Sequence, residues 1–223
     1  MSNEHIVSSS GVIGLIGGAK VEVTEIKQLL PLITDIVAAD GGADHLLAAG
    51  LIPAAVIGDM DSITDRAQRA FKDRLHRIGE QETTDFEKAL TRIGAACVLA
   101  LGFTGGRMDH ALAVLNVLAR HAHRSVVLLD GSDASFVAPQ SPVRLDLPLG
   151  SRISLMPLAD TVVTATGLRW PLNRAQMQPA GMTSASNAVA EQHVEISAQG
   201  PVLITLPRAH LAEVLRAIGA DRA

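Results

Sequence analysis

The chain has 223 residues, of which 48% are apolar, 19% are charged and 2% are aromatic. That apolar fraction excludes a disordered chain, and the length suffices for one large domain or two small ones. The net charge of −4 comes without a basic stripe, so we expect no nucleic-acid partner. No apolar run reaches the roughly 18 residues that cross a bilayer. Because residues 1–10 also contain no Lys or Arg, we expect no secretory signal, no membrane partner and a cytoplasmic location.

Short apolar runs alternate with amphipathic stretches from Val12 to about Asp130, which predicts parallel strands crossed by helices. Each run is almost continuously apolar, as a strand buried on both faces should be. The predicted strands comprise residues 12–16, 36–39, 54–57, 75–78, 97–101 and 126–129. The predicted helices comprise residues 25–30, 43–49, 65–72, 85–93 and 108–121. Thr84 and Glu87 have the spacing of a capping box, which predicts that the fourth helix begins at Asp85.

The pattern changes after about Asp133 to apolar and polar alternation broken by Pro, Gly, Ser and Thr, which predicts a mostly antiparallel region spaced like a small sandwich. The predicted strands comprise residues 143–147, 152–156, 161–165, 193–197 and 202–206. A C-terminal helix follows from the single apolar face formed by Leu211, Val214, Leu215 and Ile218. We therefore predict a parallel-sheet α/β domain over residues 1–133, followed by an antiparallel β-sandwich domain over residues 134–223.

Acidic residues stand where the predicted parallel strands end. Asp40 follows the strand at 36–39, and Asp59 and Asp61 follow the strand at 54–57. Asp85 and Asp109 come after the next two strand-to-helix turns. Ligands of open parallel sheets bind in the crevice at the carboxyl ends of the strands, so these carboxylates are expected to converge there.

Carboxylates this close repel one another, and a cluster of them persists mainly where a cation neutralises it or some members stay protonated. Magnesium prefers oxygen ligands, takes one or two carboxylates and bridges substrate phosphates. The pairs Gly41-Gly42 and Gly105-Gly106 let backbone N–H groups approach a phosphate closely, and Arg107 offers a planar fork that matches its oxygens. The sequence therefore predicts Mg²⁺ and a nucleotide polyphosphate in the N-terminal domain.

Each of these residues also has a purely structural interpretation. An Asp-Gly-Gly string such as the one at Asp40 is common in tight turns. Asp85 is a favourable first-turn acid for its helix dipole, His110 is compatible with a structural hydrogen bond, and Arg107 with a solvated turn. Cys97 has apolar neighbours, which favours a buried, inert thiol.

Several strings occur together in the order and spacing of one family. In the N-terminal half they are Asp40-Gly41-Gly42-Ala43, Gly58-Asp59-Met60-Asp61-Ser62, Thr84-Asp85-Phe86-Glu87-Lys88-Ala89-Leu90 and Gly105-Gly106-Arg107-Met108-Asp109-His110. In the C-terminal half they are Gly167-Leu168-Arg169-Trp170-Pro171-Leu172 and Ser186-Asn187. Each string is short, but the joint match covers nearly the whole chain and resembles the thiamin pyrophosphokinase (thiamin diphosphokinase) family.

This resemblance implies an ATP-binding α/β nucleotide-binding domain, a thiamin-binding antiparallel β-sandwich and a homodimer with sites between subunits. It implies that ATP and thiamin give thiamin diphosphate and AMP. Carried over to this sequence, Mg²⁺ would be held by Asp59, Asp61 and Asp85. The nucleotide would be bound by Asp40, Gly41, Gly42, Asp59, Arg107, Asp109, His110 and Asn116. The residues expected to act in catalysis are Asp61, Asp85 and Arg107.

For thiamin, the resemblance implies contacts from Gln81 and Asp85 and, from the partner subunit, from the C-terminal string residues Trp170, Ser186 and Asn187. Trp170 is the sole tryptophan of the chain, and its face suits the stacking of a cationic ring. The competing interpretation places this large apolar side chain in the sandwich core.

Two other functions compete with this one. The string around Asp59 also looks like the nucleophile loop of haloacid-dehalogenase-type phosphatases, in which Asp59 would form an aspartyl-phosphate. A non-catalytic alternative is a sensor that binds a nucleotide or thiamin diphosphate. Product identity separates the three, because the kinase gives AMP only with thiamin, the phosphatase releases inorganic phosphate without it, and the sensor releases neither.

Overall fold

A computed structural model describes residues 5–220. Their Cα positions form two compact units that divide between Val114 and Leu115, inside the fifth helix. This division falls earlier than residue 133 because the strand at Val126–Leu129, apolar like the parallel strands before it, pairs antiparallel with the strand that follows it. The expected division into functional domains at 133 and 134 stays a prediction.

Five strands of the N-terminal unit form a parallel arrangement in the order β7-β2-β3-β4-β5. Two further short strands, β1 and β6, pair with each other in parallel. The predicted strands of this unit are confirmed, with ends that move by at most one residue. The strands are β1 (Val7–Ser8), β2 (Val12–Ile16), β3 (Asp35–Ala39), β4 (Ala55–Gly58), β5 (Leu75–Arg77), β6 (Ile93–Gly94) and β7 (Cys97–Leu101).

The predicted helices are present between these strands, most of them shorter than expected. They are α1 (Val23–Leu29), α2 (Gly42–Ala48), α3 (Asp65–Ala70), α4 (Asp85–Leu90) and α5 (Met108–Arg120). Thr84 caps α4 as predicted, because its hydroxyl accepts a hydrogen bond from the Glu87 backbone N–H at 3.4 Å. This cap fixes the first residue of the helix, Asp85, directly after the turn. None of the helices within residues 5–220 combines the length and apolar character of a bilayer span.

The strand order places the carboxyl ends of β3 and β4 side by side, with β2 and β7 next to them. Asp40 follows β3 and Asp59 follows β4 without an intervening residue. Gly58 must be glycine at this edge, because a Cβ there would lie 2.8 Å from the Cβ of Asp40 and 3.2 Å from Oδ1 of Asp85. Adjacent parallel strands therefore bring acidic residues from distant stretches of the chain together.

The strands of the C-terminal unit pair antiparallel in two groups, in the orders β14-β11-β16-β9-β8 and β10-β15-β12-β13, and the second group is a separate four-stranded sheet. The predicted antiparallel region is therefore present. Together with the parallel strands and helices of the N-terminal unit, it gives the chain a mixed α/β fold. The strands are β8 (Val126–Leu129), β9 (Asp133–Val137), β10 (Val143–Asp146), β11 (Arg152–Pro157), β12 (Thr161–Thr166), β13 (Leu172–Met177), β14 (Ser184–Ala188), β15 (His193–Gln199) and β16 (Val202–Pro207). The predicted C-terminal helix is α6 (Leu211–Ala217).

Sequence patterning missed three strands of this unit, β9, β13 and β14. In β13 only the first and last residues, Leu172 and Met177, are buried, and the four between them give no alternating apolar signal. In β14 the sequence Ser-Ala-Ser-Asn-Ala contains no large apolar side chain. These strands form because neighbouring strands satisfy their backbone groups, which is information that side-chain periodicity does not carry.

Candidate active site

A cavity of about 790 Å³ opens in the N-terminal unit where the parallel strands end. Its wall includes backbone from the turns at Gly18, Gly41, Gly102 and Gly106. Most of the residues expected at an N-terminal site line it: Asp40, Gly41, Asp59, Gln81, Asp85, Arg107 and His110. Main-chain N–H groups, carboxylates and a guanidinium thus surround one space.

Three carboxylates at this edge form a compact group. One oxygen each from Asp40, Asp59 and Asp61 lies within 4.8 Å of the others. Asp61 is exposed and also accepts a hydrogen bond from the Ser62 hydroxyl at 2.8 Å. The expected metal ligands were Asp59, Asp61 and Asp85, so the compact group has Asp40 in the place we assigned to Asp85. The ligand set stays a prediction.

Asp40 has the most constrained environment of these acids. Its side chain is buried, its backbone is left-handed with φ of 41°, and its Oδ2 accepts a hydrogen bond from the Ser62 N–H at 3.0 Å. The other carboxylate oxygen, Oδ1, is buried without a hydrogen-bond partner. Burial, reinforced by the charges of Asp85, Asp59 and Asp61, raises the pKa of Asp40 to about 6. An unpaired, buried carboxylate oxygen is a costly feature that a bound cation would satisfy.

Lys88 is buried beside these acids and pairs with two of them. Its Nζ lies 3.1 Å from Asp59 Oδ2 and 3.2 Å from Asp85 Oδ1. Burial alone would lower the pKa of Lys88, but the hydrogen bond to Asp59 and the negative charge of Asp85 outweigh burial and raise that pKa. The lysine therefore carries its charge inside the cavity wall.

The two partners of Lys88 respond differently to their surroundings. Burial tends to raise the pKa of Asp59, but hydrogen bonds from Lys88 and from the Gln81 side chain, at 3.0 Å, lower it. For Asp85, burial prevails over the favourable charge of Lys88 and raises the pKa. Gln81, expected at the thiamin, is thus bonded to a carboxylate of the acidic group.

Arg107 and Asp109 form an exposed bidentate pair, with Nε to Oδ1 at 3.1 Å and Nη2 to Oδ2 at 2.5 Å. Arg107 lines the cavity together with His110. Asn116, expected behind these residues, lies on the exposed side of α5 beyond Val114, where its amide oxygen accepts a hydrogen bond from Arg120 Nε at 3.0 Å. The nucleotide roles of all four residues stay predictions.

The donor set at the acidic group fits a hard divalent cation. All its atoms are carboxylate oxygens, which Mg²⁺ prefers, and Asp40, one of its members, has a buried oxygen, Oδ1, without a hydrogen-bond partner. Asp40, Asp59 and Asp61 come from two adjacent strand ends, so the backbone holds them near one another. The chemistry of the donors thus agrees with the magnesium expected from the sequence.

In the C-terminal unit, Trp170 is 55% exposed, so it is not the core residue of the competing interpretation. The Arg169 guanidinium lies 5.0 Å from the centre of its ring. Asn187 is buried and holds the backbone of Trp170 on both sides: its Oδ1 accepts from the Trp170 N–H at 3.2 Å and its Nδ2 donates to the Trp170 carbonyl at 2.8 Å. Ser186, next to it, is exposed and left-handed, with φ of 57°. An aromatic face is thus presented to solvent on a rigid backbone.

Sequence reasoning missed two residues of the N-terminal site. Lys88 was part of a quoted string, but its three-residue spacing from Asp85 on a helix, which lets the pair interact, was not used. Ser62 also stands in one of these strings, but its hydrogen bonds, from its N–H to Asp40 and from its hydroxyl to Asp61, depend on the turn after β4 and could not be read from the sequence.

The fold and this site define a mixed α/β protein with a carboxylate centre suited to a divalent cation. Two family descriptions match consecutive parts of the chain: "Thiamin pyrophosphokinase, catalytic domain" over residues 26–129 and "Thiamin pyrophosphokinase, vitamin B1 binding domain" over residues 142–203. The chain belongs to the thiamin pyrophosphokinase family.

Similar proteins carry the same description. Thiamine pyrophosphokinase 1 of Oryza sativa subsp. japonica is 29% identical over 204 residues, covering 76% of this chain and 77% of the relative. Thiamine pyrophosphokinase of Bacillus subtilis (strain 168) is 26% identical over 199 residues, covering 81% of this chain and 93% of the relative. The crystal structure of thiamin pyrophosphokinase from Geobacillus thermodenitrificans superposes with a TM-score of 0.73 at 25% identity, covering 88% of this chain and 96% of that one. These likenesses do not favour a phosphatase or a sensor.

Proposed function

We propose that this protein transfers the pyrophosphoryl group of ATP to the hydroxyethyl oxygen of thiamin, giving thiamin diphosphate and AMP. The observation that carries the N-terminal half of this proposal is the convergence of Asp40, Asp59 and Asp61, the first two of which line the cavity, with one buried oxygen of Asp40 left unpaired. Such a centre suits a cation that bridges to phosphate oxygens. Family membership supplies the substrate class.

The proposed reaction forms one bond and breaks one. The thiamin hydroxyl oxygen bonds to the β-phosphorus of ATP, the bond between that phosphorus and the oxygen bridging to the α-phosphorus breaks, and AMP leaves with that oxygen. The hydroxyl proton goes to a nearby carboxylate or to water. Phosphoryl transfers of this kind depend mainly on positioning and charge neutralisation, so we assign no specific base.

For the nucleotide, we propose that Asp59 and Asp61 hold Mg²⁺ together with Asp85 or Asp40. When bound, the cation supplies charge neutralisation for the phosphates. Arg107, oriented by Asp109, would face phosphate oxygens from the exposed side of the cavity. The N–H groups of the turn at Gly41 and Gly42 and the side chain of His110 would complete the nucleotide site.

For thiamin, we propose that Trp170 stacks on one of its rings and that Asn187 positions Trp170 through its two backbone hydrogen bonds. Ser186, whose backbone is left-handed within β14, would add a polar contact, and Gln81 and Asp85 would contact thiamin from the nucleotide site. In the homodimer that the resemblance implies, the C-terminal residues belong to the partner subunit. The dimer and the cytoplasmic location stay predictions.

The direct test incubates the purified protein with ATP, MgCl₂ and thiamin and separates the products by chromatography. We expect AMP and thiamin diphosphate in equal amounts, with neither formed when thiamin or magnesium is omitted. Release of inorganic phosphate without thiamin would favour the phosphatase instead. Binding of ATP or thiamin diphosphate with no product would favour the sensor.

A further inference from the structure

Lys88 is a buried cation in the wall of the cavity at the ends of the parallel strands. Its side chain is only 2% exposed, although lysines are rarely buried unless paired. It bonds one oxygen of Asp59 and one of Asp85, at 3.1 and 3.2 Å. Arg107, which also lines the cavity, is exposed and paired with Asp109. Among the residues that line this cavity, Lys88 is therefore the buried cation that contacts the acidic group.

The bonds of Lys88 divide the four acids into two pairs. Asp59 and Asp85 contact the ammonium, whereas Asp40 accepts a hydrogen bond from the Ser62 N–H and Asp61 accepts one from the Ser62 hydroxyl. One carboxylate oxygen of Asp40 is buried and has no partner. Because four carboxylates outnumber one ammonium, the lysine lessens the repulsion within the group but leaves an attraction for a further cation.

We propose that Lys88 is a positioning residue that competes with a divalent cation for the same carboxylates: it fixes Asp59 and Asp85 and weakens the binding of a free divalent cation. This inference rests on the proposed function, in which the cation binds together with a polyphosphate. The negative charge of the phosphates would offset the repulsion between Lys88 and the cation, so that cation and nucleotide bind better together than either binds alone. Two positive charges sharing Asp59 must repel each other, which is the physical basis of the effect.

The test measures binding of Mn²⁺ alone, without nucleotide, by electron paramagnetic resonance of the free ion. Lys88→Met keeps the length and apolar stem of the side chain but removes its charge, and we expect it to bind Mn²⁺ roughly tenfold more tightly than the wild type. Lys88→Gln is a second neutral variant and should change affinity in the same direction. Lys72→Met removes an exposed lysine and serves as the matched control, with no change in affinity.

A second readout is thermal stability, because removal of Lys88 leaves Asp59 buried without its counter-ion. We expect Mn²⁺ to raise the Tm of Lys88→Met by more than it raises that of the wild type. If the neutral variants are unfolded without metal, restoration of a cooperative melting transition by Mn²⁺ supports the proposal. Failure of Mn²⁺ to restore either variant overturns it.

Unchanged or weaker Mn²⁺ binding by both folded neutral variants also overturns the inference. These outcomes are separable from the proposed function, because none of them requires turnover. A wild-type protein that makes thiamin diphosphate while Lys88→Met binds Mn²⁺ no more tightly would disprove only the role of Lys88. A wild-type protein without product, combined with tighter Mn²⁺ binding by Lys88→Met, would disprove only the proposed reaction.

Discussion

The N-terminal candidate site is organised around crowded negative charges, and the C-terminal candidate site is organised around a neutral, fully hydrogen-bonded amide. In the first, Asp40, Asp59 and Asp61 crowd like charges within 4.8 Å and leave a buried oxygen unpaired. In the second, the neutral amide of Asn187 is buried, and both its oxygen and its nitrogen are hydrogen-bonded around Trp170. The difference teaches that the first site needs a ligand to satisfy its buried charge. The second site has its buried polar groups satisfied by the protein itself and exposes an aromatic face.

The largest expected effect tests whether the acidic site is functional. We expect Asp61→Asn to lower the rate of thiamin diphosphate formation at least about 100-fold, because it removes a charge from the compact group while keeping the side-chain shape. Its Tm should stay near that of the wild type, since Asp61 is exposed. The rate is followed by AMP release. The matched control is Asp65→Asn, which changes an exposed acid at the start of α3. Equal activity of the two variants would mean that the acidic site has no role in the reaction.

The second prediction tests whether the C-terminal frame is structural. Asn187→Ala removes the hydrogen bonds that hold the Trp170 backbone and leaves buried groups unpaired, so we expect the free energy of unfolding to fall by about 2–4 kcal/mol. Urea denaturation measures this loss. Since Trp170 is the sole tryptophan, its fluorescence quenching by acrylamide reports the loosened segment directly. Asn173→Ala, at an exposed position of β13, should alter neither quantity.

The third prediction concerns the pH dependence of the free energy of unfolding, to which the charged N-terminal site contributes and the neutral amide of the C-terminal site does not. The pKa of Asp40 is raised from 3.8 to about 6, so its contribution to stability is most favourable below pH 3.8 and is lost as the pH rises through about 6. Asp40→Asn removes this titration, tolerates the left-handed backbone and can still accept from the Ser62 N–H. We expect the variant to gain about 1–3 kcal/mol over the wild type between pH 4 and pH 8 in metal-free buffer.

Urea unfolding of both proteins at several pH values provides the measurement. Addition of Mg²⁺ at pH 8 should reduce the advantage of Asp40→Asn, because only the wild type offers the charged oxygen. Asp73→Asn, which changes an exposed acid, is the control. A stability difference that is the same at every pH would contradict the assigned cause.

The smallest predicted effect concerns the aromatic face. Trp170→Ala should raise the KM for thiamin roughly tenfold, the size expected for a lost cation–π contact, with little change in Tm because the side chain is 55% exposed. Trp170→Phe should recover most of the affinity. Thiamin-dependent initial rates at saturating ATP give both values. A Tm that falls as far as in Asn187→Ala would mean that Trp170 serves the fold and not the ligand.

Local sequence determined much of the N-terminal unit. The buried strands β2 and β7 have the predicted bounds, because a strand covered on both faces must be apolar throughout. The Thr84 cap and the acids after β3 and β4 were also readable, since caps and strand ends depend on residues a few positions apart. In the C-terminal unit, β13 and β14 escaped prediction because their stability comes from neighbouring strands and not from their own apolar residues.

Tertiary structure alone decided which charges meet. The sequence indicated that aspartates would gather at one sheet edge, and the motifs indicated the family. The packing of α4 against that edge placed Lys88 between Asp59 and Asp85. The three-dimensional structure also showed the burial of one Asp40 oxygen without a partner and, in the C-terminal unit, the anchoring of Trp170 by Asn187. The physical reason is range: periodicity and capping act over a few residues of chain, whereas burial and electrostatic pairing depend on distances in space between residues far apart in sequence.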